Sequence, residues 1–168
     1  MLLSVSATTR PARPEDERAL RTIDQLTWSP LSSPAPAPPS ERPFFRPGID
    51  PEDVLVAELV GGGTLAGYVH LGPALPLEST AHVLEIKGIA VDPAHQGQGV
   101  GRLLLEAATA EARAREARRL TLRVLSPNAG AQALYTVAGF TVEGVLKNHF
   151  RLDDAYVDDV LMALDLTS

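Results

Sequence analysis

The segment of this chain with the clearest chemical potential is a glycine-rich turn between a predicted strand and a predicted helix. Its sequence is Val91-Asp92-Pro93-Ala94-His95-Gln96-Gly97-Gln98-Gly99-Val100-Gly101-Arg102. Alternate glycines let the backbone curl, and the first turn of a helix adds unpaired N–H groups at the positive end of its dipole. The segment predicts an anion-binding turn, with a purely structural turn as the alternative. It is neither a Walker loop, because no Gly-Lys-Ser/Thr follows, nor a GxGxxG dinucleotide fingerprint.

The charge around this turn is opposite in sign to that of the whole chain. The 168 residues carry 15 Lys and Arg against 21 Asp and Glu, a net charge of −6. Residues 95–123 hold six arginines and three glutamates, a local charge of +3. The overall acidity argues against a general nucleic-acid-binding protein. The local excess of positive charge favours one polyanionic ligand at the turn.

The composition excludes several other chemistries. The chain has no cysteine, which removes disulfides, thiolate metal sites and a cysteine nucleophile. Its four histidines lack metal-ligand spacing, so we expect no metal. No apolar run is long enough to span a bilayer. We expect a cytoplasmic protein with neither a membrane nor a nucleic-acid partner.

The elements around the turn are predicted from hydrophobic periodicity and turn residues. The predicted strands are 2–8, 53–60, 64–71, 81–91, 120–125, 141–150 and 156–166, and the predicted helices are 13–27, 101–118 and 129–138. Antiparallel hairpins surround a single strand-helix-strand crossover at 81–125. This order predicts an α/β (α+β) fold whose central sheet is mixed, mostly antiparallel, has six to seven strands and is flanked by helices.

A proline-rich segment interrupts this order at residues 30–51, where eight of the fourteen prolines fall. Such a segment cannot form a helix or a central strand. It predicts either a solvated polyproline-like loop or a flap on the substrate side that carries Phe44 and Phe45. The two aromatic residues themselves belong either to an acceptor pocket or to the core.

Three features together resemble the GCN5-related N-acetyltransferase (GNAT) superfamily: the strand before the turn, the pattern Gln96-x-x-Gly99-x-Gly101, and the segment from Asn128 to Phe140. The resemblance covers roughly residues 53–166. It implies one N-acetyltransferase domain over 1–168, with the loop at 30–51 on the acceptor side. A small-molecule or peptide amine would be the acceptor, and a homodimer is compatible with it.

The reaction that the resemblance implies is direct transfer of the acetyl group from acetyl-CoA to a primary amine through a ternary complex. A catalytically silent module that binds or senses acyl-CoA is the alternative, and a binder of nucleotide phosphates is a third hypothesis. The cofactor-binding residues implied by the resemblance are Ile89, Ala90, Val91, Gln96, Gly97, Gln98, Gly99, Val100, Gly101, Arg102, Asn128 and Tyr135. Asn128 could equally cap the helix that follows it.

Three residues would carry the chemistry if the resemblance holds. The amide of Ile89 would polarise the thioester carbonyl, and Gly88 before it could permit a bulge that exposes this amide. Tyr135 would donate a proton to the departing CoA thiolate. Glu85, which strand alternation places on the face of Ile89, would act as base or through a water relay, with a surface glutamate as the alternative.

Two further observations concern the acceptor. Arg123 stands where the ribosomal N-terminal acetyltransferases carry a glutamate, a departure that weakens the case for a protein N-terminus as acceptor. The last predicted hairpin contains four aspartates, Asp153, Asp154, Asp158 and Asp159. We expect them to be solvated turn and edge charges, and the alternative is that they attract a cationic amine.

Overall fold

The computed structural model describes residues 6–167. Its strands are β1 (Ala7–Pro11), β2 (Val54–Leu59), β3 (Leu65–Pro73), β4 (Val83–Val91), β5 (Arg119–Leu125), β6 (Thr141–Leu152) and β7 (Ala155–Asp165). Its helices are α1 (Glu17–Thr27), α2 (Val100–Ala114) and α3 (Ala129–Val137). Short 3-10 turns occupy Pro14–Asp16, Pro51–Asp53, Glu78–Thr80 and Pro93–His95.

The seven strands form one sheet in the order β1-β2-β3-β4-β5-β7-β6. The pairs β1–β2, β2–β3, β5–β7 and β6–β7 are antiparallel, and β4–β5 is parallel. The parallel pair is the one joined through a helix, α2, as a crossover connection requires. The mixed, mostly antiparallel sheet predicted from the sequence is confirmed.

The structure corrects two predicted boundaries, one through pairing with a distant strand and one through a local helix end. The strand predicted at 2–8 lies partly outside the described residues, and β1 continues to Pro11 because Thr9, Arg10 and Pro11 pair with β2. The helix predicted to reach Arg118 ends at Ala114. Its end is set by Glu116, which adopts a left-handed φ of 59°, while the Ala117 amide donates back to the Ala112 carbonyl.

The described chain divides into two compact units, and strand β4 contributes to both. The first unit contains 6–27, 38–72 and 87–108, and the second contains 28–37, 73–86 and 109–167. In the first unit, Leu20 and Ile23 on the apolar face of α1 share one buried cluster with Val56 of β2 and Tyr68 of β3.

The C-terminal part of the proline-rich segment is fastened to α1 within the first unit. The Glu17 carboxylate accepts hydrogen bonds from the amides of Phe44 at 2.8 Å and Phe45 at 2.9 Å. Phe44 is only 3% exposed, and its ring meets that of Tyr68 edge-on at 4.8 Å. Phe44 is therefore a core residue rather than part of a fully solvated loop.

The second unit contains the neighbouring strands β5, β7 and β6, and helix α3 connects β5 to β6 along the chain. The side chains of Leu120, Leu122 and Phe140 are almost completely buried there. The Tyr135 ring on α3 lies 6.1 Å from that of Phe140. Among residues 6–167, no helix is long and apolar enough to cross a membrane, and no group of three or more His, Cys, Asp or Glu side chains could hold a metal ion.

Candidate functional site

The glycine turn presents backbone donors in the way its sequence predicts. Gly97 and Gly99 have φ values of 72° and 87°, a left-handed conformation that glycine adopts at little cost. Helix α2 starts at Val100, and its first backbone hydrogen bond runs from the Leu103 amide to the Gly99 carbonyl. The amides of Val100, Gly101 and Arg102 precede that bond, so they are the unpaired first-turn donors of this helix.

The side chains of the turn stabilise the turn itself. The Gln96 side-chain amide donates to the Val91 carbonyl at 3.1 Å, and that of Gln98 donates to the Ala94 carbonyl at 3.2 Å. The Asp92 carboxylate accepts from the Ala94 amide at 2.8 Å. Gln96 and Gln98 therefore act as internal supports in this structure, and the backbone remains the surface offered to a ligand.

The Arg102 side chain forms an exposed ion pair one helical turn along α2. Its Nε lies 2.9 Å from Glu106 Oε1, and the two side chains are 71% and 60% exposed. Solvent screens such a pair strongly. The Arg102 side chain is thus a solvated side chain in the first turn of α2. The group of Arg102 that is placed to bind an anion is its backbone amide.

Strand β4 leads into the turn with an edge that β5 pairs only in part. The β4–β5 register joins Val83–Ile86 to Arg119–Leu122 and ends there, although β4 continues through Ile89, Ala90 and Val91. Backbone groups beyond the end of a register can pair with another extended chain. Ala90 is buried, and Ile89 and Val91 are half-buried.

Gly67 is a residue near this strand that the sequence did not single out. A Cβ added to it would lie 2.5 Å from the Ala90 carbonyl oxygen and 3.2 Å from the Val91 Cα. Only glycine permits this close approach of β3 to β4. A glycine inside a predicted strand is a recognised signal of such an approach, but the sequence does not say which backbone comes close.

The other three predicted site residues lie in the second unit. Glu85 is half-buried on β4 and stands opposite Thr121 of β5 in the parallel register. Asn128 caps α3, because its side-chain oxygen accepts from the Ala131 amide at 3.2 Å. Tyr135 is 7% exposed, and burial raises its pKa to about 12. Its hydroxyl therefore stays protonated, and able to donate, at neutral pH.

A cluster on β5, β6 and β7 was not predicted as a site. Asp159, expected to be a solvated edge charge, is 2% exposed, so that expectation is wrong. Both Nε, at 2.7 Å, and Nη2 of Arg123 donate to Asp159 Oδ2. His149 Nε2 lies 3.4 Å from the same Nη2. Asp159 is buried because Arg123, 36 residues away in the sequence, neutralises it.

The mixed seven-stranded sheet, with a glycine turn before its crossover helix, defines an α/β fold. Comparison with known proteins identifies the family. The chain belongs to the acetyltransferase (GNAT) family, whose model matches residues 20–140. The [ribosomal protein bS18]-alanine N-acetyltransferase of Salmonella typhimurium is 33% identical over 130 residues, or 77% of this chain and 82% of that protein.

One further relative and one solved structure are also similar to this chain. The Escherichia coli K12 protein of the same name is 40% identical over 79 residues, which are 47% of this chain and 53% of that protein. The chain thus spans about half the length of that relative. The structure of Salmonella typhimurium yncA with its cofactor acetyl-CoA matches with a TM-score of 0.78 and 24% identity, over 97% of this chain and 95% of that one. This last likeness supports the fold.

Proposed function

We propose that this protein is an acetyl-CoA-dependent N-acetyltransferase that passes the acetyl group directly to a primary amine in a ternary complex. The observation that carries the proposal is the turn at 96–102, where two left-handed glycines lead into the free amides of α2. The family and the N-acetyltransferase names of the relatives support it.

The first role we assign is binding of the coenzyme's pyrophosphate by the backbone from Gly97 to Arg102. Several converging N–H groups at a helix N-terminus match the charge and shape of such an anion. The local excess of arginines over glutamates in 95–123 adds a favourable long-range field. We assign Asn128 a separate contact with the coenzyme through its side-chain N–H₂ group, because its side-chain oxygen is engaged in capping α3.

The second role belongs to β4 beyond its register with β5. We assign Ile89, Ala90 and Val91 to pair through their backbone with the amide groups of the pantetheine arm, as an added strand would. The Ile89 amide would then donate to the thioester carbonyl oxygen, where negative charge develops as the amine attacks.

The chemical step requires a neutral amine. An amine with a pKa near 10.4 is only about 0.1% neutral at pH 7.4, a deficit of roughly 4 kcal/mol. We assign Glu85, directly or through water, to accept the ammonium proton. The nitrogen lone pair then attacks the carbonyl carbon, the C–S bond breaks, and the Tyr135 hydroxyl donates a proton to the departing sulfur. The nitrogen loses its second proton to solvent as the amide forms, and solvent returns a proton to Tyr135. The products are the N-acetylated amine and CoA.

Coenzyme binding tests the first role. Calorimetric titration should detect both acetyl-CoA and CoA, with ATP binding much more weakly. Gly99→Ala should weaken CoA binding about tenfold, because an alanine at this left-handed φ costs about 1–2 kcal/mol. Gly130→Ala is the matched control: a Cβ at either glycine has nothing within 4 Å, but Gly130 lies in α3. Absence of binding of both coenzyme forms would contradict the proposal.

Turnover tests the catalytic roles. Release of the CoA thiol should be followed with a panel of amino acids, polyamines, aminoglycosides and peptides. Tyr135→Phe should lower kcat about 100-fold, the low end expected for loss of a general acid, and change the Kd of CoA by less than threefold. CoA binding without thiol release from any amine would instead indicate a catalytically silent acyl-CoA-binding module.

A further inference from the structure

The most unusual charged group outside the assigned roles is the buried carboxylate of Asp159. A carboxylate with 2% exposure is strongly disfavoured unless a cation and hydrogen bonds compensate it. Arg123 supplies both, since its Nε and Nη2 donate to the same oxygen. The Arg123 side chain nevertheless remains 47% exposed. The buried acid therefore fixes the guanidinium while about half of that side chain stays accessible.

A bulge in β6 brings a third group to this pair. In the β6–β7 register, Leu146 pairs with Asp159 and Phe150 with Val157, so residues 147–149 stand opposite one residue, Asp158. The Asp158 carboxylate holds the bulge by accepting from the Lys147 ammonium at 2.7 Å and the Asn148 amide at 2.8 Å. Bulges next to sites commonly redirect a side chain.

The side chain redirected here is that of His149. Its Nε2 reaches 3.4 Å from Arg123 Nη2, and its ring meets that of Phe150 edge-on at 4.8 Å. The Arg123 guanidinium is thus bound by the Asp159 carboxylate and lies beside the His149 imidazole. An arginine ordered in advance loses less rotamer freedom when a ligand binds it.

The position of Arg123 in the sheet relates it to the proposed base. Glu85 pairs with Thr121, and Arg123 is two residues further along β5, hence on the same face of that strand. Two residues of strand span about 7 Å. Arg123 is also the first β5 residue after the β4–β5 register ends at Leu122. A carboxylate and a guanidinium thus project from one face within reach of one small molecule.

The neighbouring acids do not make this face a cation site. Asp159 is neutralised by Arg123 and Asp158 by Lys147. The Nε–Nη2 side of the Arg123 guanidinium is taken by Asp159, so Nη1 and the second N–H of Nη2 are the donors that remain for the two oxygens of an acceptor carboxylate.

We propose that Arg123 determines acceptor specificity by binding the carboxylate of an acceptor that carries its amine a few bonds away, as a free amino acid does. This inference deepens the proposed function and rests on it. The amine faces Glu85 and the carboxylate faces Arg123, so each end of the zwitterion meets the opposite charge. A peptide N-terminus carries an amide in place of that carboxylate, and a polyamine carries a second cation, so both are poorer acceptors.

The test compares free L-amino acids with their carboxamides and with spermidine. We expect kcat/KM, measured by thiol release, to favour the free acid over its own amide by at least about tenfold. In Arg123→Gln with Asp159→Asn, both charges are removed and an amide–amide hydrogen bond can replace the pair. The acid-to-amide ratio should then fall to about threefold or less.

A matched control exists on the same strand. Arg119 lies on the same face of β5, also two residues from Thr121, but within the β4–β5 register rather than beyond its end. It pairs with Glu143 of β6, with side chains 41% and 43% exposed, so Arg119→Gln with Glu143→Gln removes a comparable pair on the other side of Thr121. This control should keep the wild-type ratio. Arg123→Lys keeps the positive charge beside Asp159 but lacks the planar set of N–H donors of a guanidinium, so it should give an intermediate acid-to-amide ratio of kcat/KM. This single variant provides the test if the double variant does not fold.

A binding measurement separates this inference from the proposed function. An N-acetylated amino acid, the expected product, should bind the CoA-saturated protein, and the double variant should weaken that binding about tenfold. Failure to bind CoA overturns the proposed function. Equal use of acids and amides, or a ratio that the Arg123 variants leave at the wild-type value, overturns the role of Arg123 while leaving acetyl transfer intact.

Discussion

Gly67 offers the sharpest test of the packing around β4. A Cβ at this position would lie 2.5 Å from the Ala90 carbonyl oxygen, 3.1 Å from Leu104 Cδ1 and 3.2 Å from the Val91 Cα. Ordinary contact begins near 3.4 Å, so the β4 carbonyl would have to move by about 0.9 Å. Overpacking costs about 1–3 kcal/mol. Because the main obstacle is backbone, we expect Gly67→Ala to cost about 3 kcal/mol.

This loss is measured by urea unfolding and by thermal melting. At 2–4 °C per kcal/mol for a domain of this size, the Tm should fall by about 6–12 °C. Gly144→Ala provides the control, because it also adds a Cβ to a strand glycine but has no atom within 4 Å. If Gly67→Ala and Gly144→Ala have the same free energy of unfolding within about 0.5 kcal/mol, the packing argument is wrong.

Three further outcomes follow from contacts in the structure. Glu17→Gln should lower the free energy of unfolding by about 1–3 kcal/mol in urea titrations, because a carboxamide cannot accept equally from the amides of Phe44 and Phe45. If Tyr135 is the acid, kcat should not fall between pH 8 and 10 through loss of its proton, since burial raises its pKa to about 12; a decline there that Tyr135→Phe abolishes would contradict this. Hydrogen bonding to Arg10 lowers the pKa of Asp16, so the stabilisation by this carboxylate is present above about pH 4 and is lost as the pH falls further. The wild-type free energy of unfolding, measured in urea, should therefore fall between pH 5 and pH 3. In Asp16→Asn this fall should be smaller, by at most about 1 kcal/mol.

The order of elements could be predicted because local signals determine it. The glycine turn, the Asn128 cap and the two hairpins each depend on residues close together in the sequence. One exception, the extension of β1 to Pro11, is set by pairing with the distant strand β2. The other exception is local. The last turn of the helix predicted to reach Arg118 is replaced by a left-handed residue, Glu116, for which charge and periodicity give no signal.

In the candidate site, too, features with a local sequence signal could be predicted and a contact between distant residues could not. The turn at 96–102 was singled out by its glycines and its position between a predicted strand and a predicted helix, because it presents backbone rather than side chains. The Arg123–Asp159 pair was not found, because its partners are 36 residues apart and their diagonal placement depends on the β5–β7 register. Alternation predicts which face a strand residue takes, but it does not predict which distant charge stands beside it.

The bulge at 147–149 also bears on the solubility of the protein. Strand β6 is the outermost strand of the sheet, twelve residues long, and its Val142, Val145 and Leu146 side chains are exposed. A long apolar edge strand invites edge-to-edge aggregation. The bulge interrupts the edge and places the Lys147 cation on it, so the device that presents His149 also discourages the chain from adding to copies of itself.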